Sequence, residues 1–221
     1  PDQVYLRQPQ GSSWQEFTWK DVGIQARKVV TALRDLGLKK GDHIGLISKN
    51  CAQWIIADLA ILMGGFVSVP FYPTLTKDEL KHVIGLSDIK ALFVGKLETW
   101  NIQKDAVPEE LPCIAFPHYD GNVKVTSKFQ WQKILNDYAP VKKSHTPKRS
   151  DIFTIIYTSG TTGKPKGVMI SQANLLNYLN WAAGYLHLEK GTHFDCSSSL
   201  GFDFTVTSTW LPLMNGGILR A

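Results

Sequence analysis

Apolar residues recur along the chain with two periods, and the switches between them mark out the elements. Across residues 18–36, Val22, Ala26, Val29, Val30, Leu33 and Leu36 share one helical face, with Thr18 placed to cap the start and Gly37 the end. Residues 43–48 read as a short buried strand. Residues 52–63 read as a helix with Trp54, Ile55, Leu59 and Leu62 inward, and 66–69 as a second strand. Thr76 and Glu79 have the spacing of a capping box, which opens a helix reaching to about Leu86, and 90–94 is a third strand. Strand, helix, strand, helix, strand at this spacing predicts right-handed crossovers and an α/β fold of parallel sheets flanked by helices.

The pattern weakens from 100 to 149, where 113–116 reads as a strand and 129–135 as a helix. Proline, lysine and serine then form a linker up to Ser150. The expected organisation is a first α/β subdomain with linker over 1–150 and the start of a second α/β subdomain over 151–221. In the second part, 151–157 is a buried strand, 158–167 a loop, 171–186 a helix and 193–198 a strand. Residues 202–214 have helical apolar spacing, closed by Gly216 and Gly217. Trp181, Tyr185 and Trp210, at helical positions, are expected in the core. Asp58 and Asp88 are expected as helix-surface or capping charges.

Composition narrows the class. With 43% hydrophobic, 11% aromatic and 19% charged residues among 221, the chain is neither a disordered tail nor a coiled coil nor collagen-like. The net charge of +5 is scattered apart from Lys142, Lys143, Lys148 and Arg149. Their polar stretch reads as a solvated linker ahead of a nucleic-acid patch. Cys51, Cys113 and Cys196 are far apart and lack metal-site spacing, so they read as free thiols in a reducing, cytoplasmic setting. The apolar run 54–69 contains Asp58 and Gly64-Gly65 and is followed by Pro70, too interrupted for the roughly 20 residues of a membrane span. The chain opens on Pro1 without a methionine and stops after a strand-like segment, so it is expected to be a piece of a longer protein.

The chemistry concentrates in residues 157–167, YTSGTTGKPKG. Gly160, Gly163 and Gly167 let backbone amides turn toward an anion. Thr158, Ser159, Thr161 and Thr162 add hydroxyl donors, and Lys164 and Lys166 add positive charge, a combination suited to a polyphosphate. It is not a Walker loop. Two residues, not four, separate Gly160 from Gly163, and Pro165 follows Lys164 where a magnesium-binding hydroxyl residue would stand.

These eleven residues resemble the signature of the adenylate-forming (AMP-binding) superfamily of acyl-CoA synthetases, luciferases and nonribosomal peptide synthetase adenylation domains. Residues 54–73, with Gly64-Gly65 and Val69-Pro70, resemble an early segment of the same superfamily. The resemblance implies the N-terminal part of a ligase whose substrates are ATP and a carboxylic acid. The acid displaces pyrophosphate to give an acyl-adenylate and then passes to a thiol, that of coenzyme A or of a carrier protein's phosphopantetheine. It implies phosphate contacts from Thr158, Ser159, Gly160, Thr161, Thr162, Gly163 and Gly167, catalytic charge from Lys164 and Lys166, and Thr161 on the Mg²⁺ side. Later motifs of the superfamily are absent, so the chain alone is expected to be inactive, and its uncovered sheet edges to favour self-association.

Two segments point to different acids. Residues 69–74 and 91–96 resemble long-chain acyl-CoA synthetases. Residues 198–208 resemble amino-acid-activating domains, in which the aspartate of an FDxS/T segment, here Asp203, holds the substrate ammonium. A buried ammonium calls for such an anion and a fatty acid does not, although Asp203 also suits a helix cap. Amino-acid activation is the leading expectation and fatty-acid activation the alternative. A hydrolytic NTPase and a non-catalytic or engineered scaffold fragment are the readings from other classes.

Overall fold

The computed structural model describes residues 1–158, 165–201 and 205–221. Residues 4–18, to which the hydrophobic pattern assigns no element, form an antiparallel hairpin of β1 (Val4–Gln10) and β2 (Ser13–Thr18). Its signal is faint because four of the six β2 residues are exposed, so alternation carries little apolar contrast. Thr18 then caps α1 (Trp19–Asp35). Its hydroxyl accepts from the Asp21 amide at 3.1 Å, and the Asp21 carboxylate accepts from the Thr18 amide at 3.0 Å. Gly37, at φ 86°, takes the left-handed position just past the helix, as its placement predicts.

Next come β3 (His43–Ile47), α2 (Ala52–Gly64), β4 (Val67–Phe71), α3 (Lys77–Ser87) and β5 (Ile89–Val94), close to their expected places. They are followed by α4 (Trp100–Gln103), β6 (Cys113–Ala115), β7 (Phe129–Gln130) and α5 (Trp131–Asp137). The helix expected from 129 starts two residues later because Phe129 and Gln130 pair with β6. The remaining elements are β8 (Ile152–Thr158), β9 (Lys166–Ser171), α6 (Gln172–Tyr185), β10 (His193–Asp195), α7 (Thr205–Asn215) and β11 (Ile218–Arg220).

Seven strands make one sheet in the order β7-β6-β5-β3-β4-β8-β9, parallel throughout except for the β8–β9 pair. The other sheet has the order β10-β11-β1-β2, with β1 and β11 parallel and Leu6 opposite Leu219. Segments before and after residue 150 thus share both sheets. The linker between them is pinned: the Val141 amide donates to the Arg27 carbonyl at 3.1 Å and the His145 amide to the Met63 carbonyl at 2.7 Å.

Helices cover both faces of the large sheet. On one side Val29, Leu33, Ile55 and Ile56 pack with Phe93, Phe116 and Trp131. On the other, Leu80 and Trp100 pack with Val69, Leu92 and Val94. Strands buried on both faces carry continuous apolar runs rather than alternation. Helix α2 is buried around nearly its whole circumference, which accounts for the apolar run at 54–69. Among the described residues no helix is long and apolar enough to cross a membrane.

Three side chains depart from expectation. Asp58 is not on a helix surface; it is 7% exposed, because α2 has no solvent face on that side. Trp181 and Tyr185 are 59% and 69% exposed and stack on each other at 5.2 Å. Leu175, Leu179 and Ala182 form the inward stripe of α6, which turns 181 and 185 outward. Trp210 is core as expected, edge-on to Phe153 at 5.0 Å. Asp88 is a left-handed cap after α3, held by Lys90 at 2.6 Å.

Candidate functional site at the carboxyl edge of the sheet

The motif-bearing segment is fixed at its root by Asp151. Its carboxylate accepts from the Lys148 amide at 3.0 Å, from His145 Nε2 at 2.9 Å and from Lys40 Nζ at 3.3 Å. These contacts, the Lys148 amide foremost, hold the carboxyl well below the usual carboxylate range. From there β8 runs buried through Phe153, Thr154, Ile155 and Ile156. Thr154 Oγ1 donates to the Ser68 carbonyl at 2.9 Å, where β8 meets β4.

Strand β9 returns antiparallel, with Tyr157 opposite Gly167 and Thr158 opposite Lys166. The two ends of the motif are therefore held side by side. The Tyr157 hydroxyl donates to the Leu86 carbonyl at 3.0 Å, tying this end to the close of α3, and burial raises its pKa, so it stays a donor. At Gly167 a Cβ would come within 2.9 Å of Ile155 Cγ2 and 3.2 Å of Tyr157 Cζ, so the close approach of that ring requires glycine there. Thr158 and Lys166 are exposed at the strand ends. Ser159, Gly160, Thr161, Thr162, Gly163 and Lys164 lie outside the described residues.

A second segment reaches the same edge. Asn50, in the turn between β3 and α2, donates from Nδ2 to the carbonyls of Cys196 at 3.0 Å and Ser198 at 2.7 Å. Its Oδ1 accepts from the Leu200 amide at 2.9 Å. Gly201 then lies against the end of β4, where a Cβ would stand 3.2 Å from the Phe71 carbonyl oxygen. Phe202, Asp203 and Phe204 lie outside the described residues, and α7 leaves at Thr205. The chain therefore enters residues 202–204 beside the end of β4 and enters residues 159–164 from the end of β8. These neighbouring strands are about 4.8 Å apart. Sequence reasoning missed Asn50: a lone amide in a strand–helix turn has no signature until its three partners, about 150 positions away, are in place.

Behind this edge Asp58 of α2 faces α7. It lines a cavity of about 30 Å³ with Ser68, Phe153, Leu200, Thr209 and Trp210. Burial pushes its carboxyl up to about 6. All three cysteines are free, and burial raises the Cys196 thiol to about 11. Among the described residues no three His, Cys, Asp or Glu side chains cluster as metal ligands.

A profile of the family described as "AMP-binding enzyme" matches residues 1–220. Tyrocidine synthase 3 of Brevibacillus parabrevis is 26% identical over 206 residues, which cover 92% of this chain and 3% of that protein. The peroxisomal long chain acyl-CoA synthetase 7 of Arabidopsis thaliana is 33% identical over 176 residues, covering 73% and 25%. Among solved structures, the anthranilate CoA ligase AuaEII in complex with anthranoyl-AMP superposes with a TM-score of 0.85 at 21% identity, a likeness of fold over 99% of this chain and 41% of that one. The chain spans a quarter or less of these two curated relatives.

Proposed function

The chain belongs to the AMP-binding enzyme family, and on that premise we propose that the protein it is part of activates a carboxylic acid, an amino acid in the first instance, as its acyl-adenylate and hands the acyl group to a thiol. The observation that carries this reading is the arrangement of the carboxyl edge. The glycine- and hydroxyl-rich loop springs from the end of β8, and the segment leading to Asp203 lies against the end of β4, the neighbouring strand. Polyphosphate and acid thus meet over one strand spacing.

In this proposal Thr158, Ser159, Gly160, Thr161, Thr162, Gly163 and Gly167 contact the phosphates of ATP. Lys164 and Lys166 neutralise charge as pyrophosphate departs. Thr161 would hold the Mg²⁺, since the described residues offer no cluster of three His, Cys, Asp or Glu ligands. Asp203 pairs with the ammonium of an amino acid. The exposed strand ends at Thr158 and Lys166, with Tyr157 held by the Leu86 carbonyl and paired across to Gly167, support a ligand-binding role for the motif between them.

The chain spans 41% of the solved ligase, so we place the full activity in the longer protein and propose negligible turnover by these 221 residues alone. ATP–pyrophosphate exchange tests both statements. The longer protein exchanges with a cognate amino acid, and Asp203→Ala lowers that exchange by about two orders of magnitude, the loss expected when a buried ammonium goes unpaired. Exchange with long-chain fatty acids that is indifferent to Asp203→Ala favours the second reading, to which the acyl-CoA synthetase relatives lend weight. Exchange by the 221-residue chain itself overturns the placement of activity.

A further inference from the structure

A cleft of about 490 Å³ lies away from the motif. It lies outside the carboxyl ends of β3, β5 and β6, bounded by Gln53 at the start of α2, Lys96 just past β5 and Tyr119 just past β6. Gln8 of β1 and Trp131 of α5 close it from the sides. The place is meaningful in sheet topology. Taken in chain order, β3, β4, β5, β6 and β7 stand in space as 2-1-3-4-5, so the winding reverses between β3 and β5. In open parallel sheets, ligands enter at that reversal, outside the carboxyl ends, because adjacent connections leave in opposite directions and open a crevice. The β8 loop is three strands from β5, about 14 Å along the sheet, so this cleft is a separate place.

The side chains around it are organised and incompletely satisfied. Gln8, 2% exposed, uses its Oε1 to accept from the Ala52 amide at 2.9 Å and so caps α2, whose own N-cap, Cys51, makes no side-chain cap. That bond holds the β1–β2 hairpin over the cleft. The Tyr119 hydroxyl donates to Gln53 Oε1, and Gln53 Nε2 makes no hydrogen bond among the described residues. Trp131 is 2% exposed, and its indole N–H has no partner there either. Lys96 is half-buried, its ammonium 5.3 Å from the centre of the Tyr119 ring and 3.3 Å from the Asn50 carbonyl. Among the described residues it makes no ion pair, so its charge is not neutralised within the cleft. His118 and Asp120, both exposed, are the other ionisable groups of the lining. The lining thus offers one lysine cation, one exposed carboxylate at Asp120 and glutamine carboxamides, which suit hydroxyl groups, over the unpartnered Trp131 N–H.

We propose that this cleft is a second ligand site, for a small hydroxylated molecule carrying one anionic group, of the sugar-phosphate kind, with the anion on Lys96 and the hydroxyls against the carboxamide walls. The test is a titration of the ¹⁵N-labelled 221-residue chain, following the indole N–H signal of Trp131, assigned through Trp131→Phe. Ribose 5-phosphate is the probe, and ribose and inorganic phosphate are run separately. Ribose 5-phosphate shifts the Trp131 signal saturably below about 10 mM, and each half-probe binds roughly tenfold more weakly or worse. Lys96→Met weakens the response by about tenfold or more, as loss of a charge-assisted bond requires. Gln132→Glu, an exposed wall position that leaves the core untouched, weakens it through repulsion even if Lys96→Met does not fold. A Trp131 signal that stays still up to about 10 mM, a response confined to the β8 loop, or a shift unaffected by both substitutions overturns the proposal.

Discussion

Ile44, Leu46 and Ile47 of β3 are fully buried, while Val168 and Met169 of β9 are 50% and 66% exposed, although both strands belong to one sheet. The unit from β3 to β5 is dry on both faces and tied by parallel pairing on each side. The β8–β9 hairpin is dry only along β8 and ends the sheet with an exposed edge. The contrast shows how stability and chemistry are divided. Apolar burial, worth about 1.5–3 kcal/mol per large side chain, is concentrated where nothing needs to reach the backbone. The motif's described ends, Thr158 and Lys166, are strand ends that water can reach, and beside them the Tyr157 hydroxyl is held by the Leu86 carbonyl.

The sharpest way to break this comparison is to attack the dry unit. Phe93→Ala removes a fully buried ring that packs against Phe116 at 5.8 Å and Trp131 at 6.3 Å. It is expected to cost about 3–5 kcal/mol in urea denaturation, a large share of a domain's stability.

The dry unit also holds one misfit, and its charge gives the next effect. Asp58 titrates at about 6 in the fold instead of 3.8. The folded chain binds this proton more tightly than the unfolded chain. The group's contribution is therefore fully present below 3.8, falls as pH rises, and is lost above about 6. Asp58→Asn escapes that loss. Its advantage over the parent chain is expected to be absent near pH 4 and to reach roughly 3 kcal/mol above pH 7. An advantage that does not vary with pH would show that the carboxyl is not strained by burial.

At the hairpin, Gly167→Ala places a Cβ 2.9 Å from Ile155 Cγ2 and against the Tyr157 ring. The expected cost is about 1–3 kcal/mol, with the lost Tyr157 packing visible in near-ultraviolet circular dichroism. Two residues further along β9, Met169→Ala is expected to stay within about 0.5 kcal/mol. If it instead costs as much as Phe93→Ala, the exposed edge is a structural surface and the division drawn above fails.

Much of this was legible from residues alone, for reasons that are local. The capping boxes at Thr18 and Thr76 satisfy amides three residues away, so short-range spacing reveals them. The parallel sheet followed from strands and helices alternating at close spacing, and the motif at 157–167 announced itself by composition. Trp181 and Tyr185 were misplaced because an aromatic pair at helical spacing looks the same on either side of a helix; only the packing of Leu175, Leu179 and Ala182 chose the side.

The chain by itself thus determined its helices, its buried strands and the chemical character of its glycine–hydroxyl–lysine loop, since each depends on neighbours within a few residues. Tertiary structure alone decided that β1 would pair with β11, that Asn50 would hold the approach to Asp203, that Asp58 would be sealed from water, and that Gln8, Lys96 and Trp131 would face one cleft. Each of these joins residues far apart in sequence, and such contacts form only when apolar burial draws distant segments together and leaves their polar groups to find partners.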